Sequence, residues 1–350
     1  MKKWILRLLA LVTVLVFGTI VWFAMTFRTQ YEAAESIHLV EKGMYEYYYE
    51  GDTGLDQFLE QGGAAKSIDI VAYATEFLTH GLVGLNIEDS KFGCSVVNAT
   101  DNQGGLLTAR NFDWFSDQHS DLVIIHTHPN VGYASVATFY IRFFGFGENY
   151  KPESMAQKFM LLGSLYVALD GMNEKGLVVA DLVAGDNEET HQEGGESNLT
   201  TTLAIRLLLD RAADVEEALA LLRRYNMHSD INLAHHLAIS DAQGRSVVVE
   251  WADNQMYVVE SPVCTNHYLA AEPKLETQEI NPNSQERYDA LQAQISAKPI
   301  MTPQDITNTL ASVSGPDYTR WSIIYDRQNL TATYYQDADF TKPYVTTIGR

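Results

Sequence analysis

Cys94 stands in the run Phe92-Gly93-Cys94-Ser95-Val96-Val97-Asn98-Ala99-Thr100, and Arg110-Asn111-Phe112-Asp113-Trp114 follows soon after it. These residue types suit nucleophilic chemistry. A thiol beside a guanidinium is biased towards the thiolate, and buried charges need partners. The first run is short and rich in β-branched residues, as strands are. Asp101-Asn102-Gln103-Gly104-Gly105 is a turn cluster, and Leu106–Arg110 reads as the returning strand. A hairpin that pivots near Gln103 sets Cys94 across from about residue 112. Strict alternation puts Arg110 and Asp113 on opposite faces, so both reach the thiol only if the chain bends after Arg110. Alone, Cys94 would read as a small buried hydrophobe. With Cys264, the only other cysteine, it would allow one disulfide.

Three later segments join this one. They are Asp170-Gly171-Met172-Asn173-Glu174-Lys175-Gly176-Leu177, Cys264-Thr265-Asn266-His267 and Tyr318-Thr319-Arg320-Trp321. Together with Gly-Cys-Ser and Ala-Arg-Asn-Phe-Asp-Trp, in this order and spacing, the chain from Phe92 onward resembles the linear-amide C–N hydrolases of the choloylglycine hydrolase group. That group includes bile salt hydrolases, penicillin V acylases and the acid ceramidase and N-acylethanolamine acid amidase relatives, all N-terminal-nucleophile hydrolases.

The resemblance implies a role for each matching residue. Cleavage of the Gly93–Cys94 bond would leave Cys94 as nucleophile with its own α-amine as base, and no separate histidine or cofactor is needed. A free α-amine titrates near about 8, suited to acid–base work at neutral pH. Asp113 would hold the amine and Arg110 would flank the thiol. Asn173 would donate to the tetrahedral oxyanion, and Asn266 would be a second polar group near the amine and oxyanion. Arg320 would be a late active-site arginine. Structural roles compete with these. Arg110 and Asp113 suit an ion pair at the hairpin end, Asn173 suits a turn on local geometry alone, and Arg320 suits a structural ion pair.

These residues need a scaffold, and 350 residues suffice for one large domain or a domain with a smaller appendage. From Cys94 on, strand patterns dominate. Leu165–Leu169 and Leu177–Ala180 flank the Asn173 turn. His236–Ser240, Ser246–Glu250 and Met256–Val259 form a meander joined by turns. Thr201 to Tyr225 reads as a long helix with Asp214 capping its second half, and Thr302-Pro303-Gln304-Asp305 starts another. Two stacked antiparallel sheets with helices outside satisfy this order. The resemblance implies the same fold, an α+β class αββα sandwich, over residues 94–350; the residues ahead of it read as an N-terminal transmembrane helix and a small helical pro-segment. Residues 31–93 read as that helical pro-segment or α-subunit, with an amphipathic helix over Ala64 to Leu82.

Residues 1–30 read as a signal anchor. Lys2, Lys3 and Arg7 precede twenty uncharged residues, Leu8–Phe27, a helix on the order of 30 Å long, enough to span a bilayer. Basic residues on the N-terminal side put that end in the cytoplasm and export the remainder; a cleaved signal peptide is the alternative. The formal net charge of −21 disfavours nucleic acid as a partner. His126 and His128 share a strand face but lack a nearby third ligand, so metal binding is disfavoured. Phe139–Gly147 is strongly aromatic, either core or a surface for an apolar acyl group. Gly185 to Asn198 is an acidic, Gly-rich loop or a lid over the site. The reading that joins these features is an exported, membrane-anchored cysteine amidase acting on small N-acyl amides with an apolar acyl part. An acyltransferase of the same fold, or a non-catalytic ligand-binding ectodomain, are the alternatives.

Overall fold

Turn chemistry shapes the hairpin that carries Cys94. The Asp101 carboxylate accepts amide hydrogens from Gln103 and Gly105 at 2.8 and 2.6 Å, and Gly104 takes the left-handed conformation, φ +85°. The strands then align so that Cys94 faces Phe112 and Val96 faces Arg110, as the sequence predicts. In the computed structural model the described residues are 25–79, 81, 92–114, 121–147, 151–185, 190–229, 233–270 and 283–349, with isolated positions before residue 25.

The strands in chain order are β1 (His38–Glu41), β2 (Met44–Glu50), β3 (Phe92–Asp101), β4 (Leu106–Trp114), β5 (Leu122–His128) and β6 (Ser135–Tyr140). Then come β7 (Asp170–Asn173), β8 (Val178–Gly185), β9 (Asn198–Thr200), β10 (Asn226–His228), β11 (Ala234–Ser240) and β12 (Ser246–Ala252). The last are β13 (Gln255–Glu260), β14 (Val263–Cys264), β15 (Ile300–Met301), β16 (Thr319–Asp326), β17 (Thr331–Gln336) and β18 (Tyr344–Thr347). Of two large sheets, one runs β1-β2-β5-β6-β7-β8-β11-β12-β13 and the other β14-β3-β4-β16-β17-β18 with β15 also paired to β3, and β10 and β9 form a separate parallel pair. Pairing is antiparallel throughout both sheets except β2 on β5 and β15 on β3.

Alternation along β3 and β4 sorts the side chains into two cores. Cys94, Val96 and Phe112 join the large core between the sheets. Val97, Leu107 and Ala109 face Leu291, Ile306 and Leu310 of the helices Ser284–Ala297 and Pro303–Ala311. The helix Thr201–Arg211 packs on β7 and β8 of the other sheet. Sheet against sheet with helices outside gives the α+β sandwich expected, with mostly antiparallel pairing. The long helix expected over Thr201 to Tyr225 is broken. Asp214 accepts the Glu217 amide and caps a second helix, Val215–Leu222, after Ala212 turns extended.

The N-terminal segment departs from the all-helical pro-segment expected of it. It has helices at Arg28–Ser36, Leu55–Glu60 and Ser67–Thr79, but β1 and β2 lie between them. β2 pairs with β5 along its whole length, from Met44 to Glu50. Tyr47 and Tyr49, two apart, are fully buried on one face of this strand, and buried Glu46 and half-buried Tyr48 lie on the other. Through β1 and β2 the N-terminal segment is woven into the first sheet. The membrane-spanning segment expected at Leu8–Phe27 lies largely outside the described residues. Among the described residues no helix is long and apolar enough to cross a membrane.

Candidate active site

Each polar end of Cys94 is held by a different element. Its backbone amide donates to Asn266 Oδ1 at 2.7 Å, just after β14. Its carbonyl oxygen accepts from Arg287 Nη1 at 2.6 Å, from the helix Ser284–Ala297. Its Sγ lies 3.5 Å from Arg110 Nη2 on β4. The thiol is 1% exposed. The strand faces divide these roles. Cys94 and Arg110 point into the inter-sheet space, and Ser95 points to the helix side, where its hydroxyl accepts from Arg287 at 2.5 Å.

Arg110 is a junction. Nη1 donates to Asp170 Oδ2 at 2.6 Å and to the Leu169 carbonyl, and Nη2 donates to the Asp181 carbonyl at 2.7 Å. Asp170 also accepts from Tyr325 at 2.7 Å. The ion pair is thus Arg110–Asp170 across the two sheets, and not the Arg110–Asp113 pair that the hairpin suggested. Asp113 lies on the other strand face, opposite Gly93. Its carboxylate accepts from Thr319 Oγ1 at 2.7 Å and lies 3.8 Å from Arg287. Hence the chain needs no bend after Arg110. The cation serves the thiol on one face, and the acid stands on the other, beside the peptide bond that would be cut. Arg320 donates to the Trp114 and Asp317 carbonyls at 2.8 Å, bracing the strand end behind Asp113.

The electrostatics suit an enzyme at rest. Burial pushes the Cys94 thiol up, to about 11; Arg110 lowers it, and Asp113 and Asp181 raise it again. Burial of the thiol thus opposes the thiolate that Arg110 favours. Burial likewise raises the Asp113 pKa, against Arg287, the Thr319 hydrogen bond, Arg110 and Arg320. Cys94 and Cys264 are both free thiols, so the alternative disulfide is absent.

Asn173 is placed elsewhere. Its Nδ2 donates to the Leu209 and Ala212 carbonyls at 3.0 and 2.8 Å, and its Oδ1 accepts from the Lys175 and Leu177 amides at 3.0 and 3.2 Å. It ties the β7–β8 turn to the end of the helix Thr201–Arg211, with no contact to Cys94. The adjoining glycines fit this reading. A Cβ at Gly171 would meet the Val136 carbonyl at 2.7 Å, and one at Gly176, φ +76°, would meet the Arg327 carbonyl at 2.4 Å. Replacing Asn173 by Ala strands four backbone groups, most of them buried. It is expected to cost on the order of 3 kcal/mol, read as a lower denaturant midpoint. A fall in kcat with the midpoint unchanged would restore the oxyanion role.

Two site residues escaped the sequence reading. Asp170 stood inside a quoted motif, but its pairing with β4 is a contact between sheets. Arg287 follows Pro282 and Asn283 in a polar helix that nothing local distinguishes. Its Nη2 also donates to Asn266 Oδ1 at 2.9 Å. The aromatic run Phe139–Gly147 packs as core: Phe143 lies against Trp114 and Tyr140, and Phe112 stacks on Trp321 with ring centres 4.0 Å apart. Of the loop expected from Gly185 to Asn198, residues 186–189 lie outside the described residues; within 190–197 the Gln192 and Glu196 amides donate to the Met227 and Arg224 carbonyls. His126 stacks on Tyr48 and bonds to Glu46 at 2.8 Å.

A model of the acyl-coenzyme A:6-aminopenicillanic acid acyl-transferase family matches residues 99–337. The match contains Arg110, Asp113, Asn266 and Arg287 and begins after Cys94, whose place in the site therefore rests on the contacts above. A mutant of the conjugated bile acid hydrolase from Clostridium perfringens is similar in structure, with 16% identity, 73% of this chain and 92% of that chain covered, and a TM-score of 0.51. A second variant of that hydrolase gives 16%, 73%, 92% and 0.50. The penicillin V acylase from Agrobacterium tumefaciens gives 20%, 72%, 84% and 0.48. At these identities the bile acid hydrolase likeness shows a common fold. No curated protein sequence matches the chain.

Proposed function

Since the chain belongs to the acyl-coenzyme A:6-aminopenicillanic acid acyl-transferase family, within the N-terminal-nucleophile amide hydrolases, we propose that it is a cysteine amidohydrolase of linear N-acyl amides. One observation carries this reading: the thiol, amide nitrogen and carbonyl of a single buried cysteine are each held by a separate polar side chain, Arg110, Asn266 and Arg287.

Maturation comes first. Cys94 Sγ attacks the Gly93 carbonyl carbon, the Cys94 nitrogen leaves, and water hydrolyses the resulting thioester. The nitrogen that donated to Asn266 becomes a free α-amine in the same place. In turnover that amine takes the thiol proton as Sγ attacks the substrate carbonyl. Arg110 favours the sulfur anion, and the Asn266 side-chain amide stabilises the oxyanion, the kind of preorganised donor that dominates such barriers. The ammonium returns its proton to the leaving amine. Water, activated by the amine, then releases the acid from the thioester. Asp113, Thr319 and Arg287 keep the amine side polar and ordered. Acyl transfer to an amine in place of water is the second reading, favoured by the description of the matched family. A purely ligand-binding role gives the three contacts at Cys94 no purpose.

The sequence of Leu8–Phe27 supports an N-terminal anchor with the catalytic part outside the cytoplasm. Cleavage would sever that anchor from the catalytic chain, and residues 1–93 contain no cysteine. Retention then rests on β2 in the sheet and on the buried Ile70, Tyr73, Ala74 and Leu78 of the helix Ser67–Thr79. N-terminal sequencing of the purified active protein should find a chain that begins at Cys94. The 31–93 segment should co-purify with it and separate only in denaturant. A release assay across conjugated bile salts, penicillins, acyl-homoserine lactones and lipid amides, with and without an added amine, identifies the substrate and separates hydrolysis from transfer. Full activity from an uncleaved chain would overturn the α-amine mechanism.

A further inference from the structure

His236 and Glu250 face each other across β11 and β12, a directly paired couple on the first sheet. Both are fully buried. Neither touches Cys94, and neither has a part in the chemistry above. Yet their hydrogen bonds leave the sheet. His236 Nδ1 lies 3.1 Å from Glu250 Oε1, and Nε2 lies 2.8 Å from the Thr265 carbonyl and 3.3 Å from Cys264 Sγ. The Glu250 carboxylate accepts the Leu269 and Ala270 amides, one on each oxygen, at 2.8 Å. The pair thus grips the chain on both sides of Asn266, one residue before it and three and four residues after.

We propose that His236 and Glu250 are positioning residues that fix the Thr265–Ala270 segment and so set Asn266 Oδ1 against the nitrogen of Cys94. The proposal rests on the α-amine reading and names what holds its amine-binding group in place.

The geometry dictates the charge state. An imidazole nitrogen beside a carboxylate oxygen and another beside a carbonyl oxygen must both carry hydrogen, since both neighbours only accept. With the Glu250 carboxylate ionised, His236 is an imidazolium. Burial lowers its pKa, but Cys264 and Glu250 outweigh that and raise it from 6.5 to about 10. A raised pKa means the charge stabilises the fold fully below about 6.5 and that this stabilisation is lost as the pH climbs through about 10. The grip extends to the second arginine. The Thr265 hydroxyl donates to the Ser284 carbonyl at 3.1 Å, at the start of the helix that carries Arg287, and Arg287 reaches back to Asn266.

The test compares Glu250→Gln, His236→Gln and Asn266→Ala, singly and combined, in the full chain. A glutamine at 250 cannot accept two amides, and one at 236 can meet Thr265 but cannot bridge to Glu250. Each single variant should slow formation of the Cys94-initiated chain and lower kcat/KM of the mature enzyme about tenfold or more. Combined with Asn266→Ala, neither should lower it further, because both act through that residue. The acid limb of the kcat/KM profile should also move to lower pH, since a displaced Asn266 no longer favours the protonated amine. Clamp variants with wild-type rates, or losses that multiply with Asn266→Ala, overturn the proposal while the α-amine reading stands. A fully active Asn266→Ala enzyme likewise overturns the proposal, whereas full activity from an uncleaved chain overturns the α-amine reading. Should the clamp variants not fold, histidine-labelled wild-type protein decides by nitrogen NMR at pH 8.5. A doubly protonated imidazole supports the clamp, and its absence overturns it.

Discussion

A Cys94→Ala protein is expected to remain one uncleaved chain and to hydrolyse no amide. The sulfur is asked to act twice, first on the Gly93 carbonyl and then on the substrate. Alanine removes both steps together, and the α-amine base then never forms. The fold should survive. The thiol sits in a well-packed core, and its loss leaves a small void costing roughly 1 kcal/mol. Intact mass and a thermal melt on the same sample separate the two effects. Cys94→Ser keeps the hydrogen-bonding shape but replaces the thiol by a poorer nucleophile, so it should process slowly and not at all at low pH. An alanine variant that still releases product from N-acyl substrates would remove Cys94 from the mechanism altogether.

Arg110 should give the second largest effect, and it should act on stability as well as rate. Arg110→Leu leaves Asp170 buried with only Tyr325 and Trp321 as neighbours in hydrogen-bonding range. Removing one partner of a buried ion pair costs about 3–5 kcal/mol. That loss should appear as a large fall in the denaturant midpoint, with little mature enzyme formed. Arg110→Lys separates charge from geometry. A single ammonium cannot serve Cys94 Sγ, Asp170, Leu169 and Asp181 together, because it lacks the planar fork that reaches all four. It should fold, yet kcat/KM should fall roughly 10²-fold, the scale of one lost preorganised donor. The thiol, already high through burial, should titrate higher still in the leucine variant. Wild-type turnover in the lysine variant would reduce Arg110 to a structural ion-pair partner.

The hairpin register was legible because it is a local matter. Asp101 and the glycines at 104 and 105 determine where the chain turns, and counting back from the turn sets Cys94 opposite Phe112. Element order was legible for the same reason, as was the Asp214 cap. The N-terminal segment was misjudged in part. Its helices follow from local periodicity, but β2 is stabilised by parallel pairing with β5, a partner more than seventy residues away. The balance of forces on the thiol is legible only in part. A neighbouring cation is visible in a sequence, whereas the depth of burial that opposes it is not.

The sequence by itself determined the register of β3 and β4 and how they present their side chains: a thiol and an arginine on one face, an aspartate on the other. Chain-local rules suffice for that, since alternation and turn residues act over a few positions. Only the tertiary structure decided the partners. Asp170 meets Arg110 because two sheets stack. Arg287 reaches Cys94 and Asn266 because a helix from the far end of the chain lies over β3. Asn173 is tied to the end of another helix. Each is a contact between elements distant in sequence, chosen by which arrangement leaves the fewest buried polar groups unpaired. That balance is struck over the whole fold at once, and no single segment contains it.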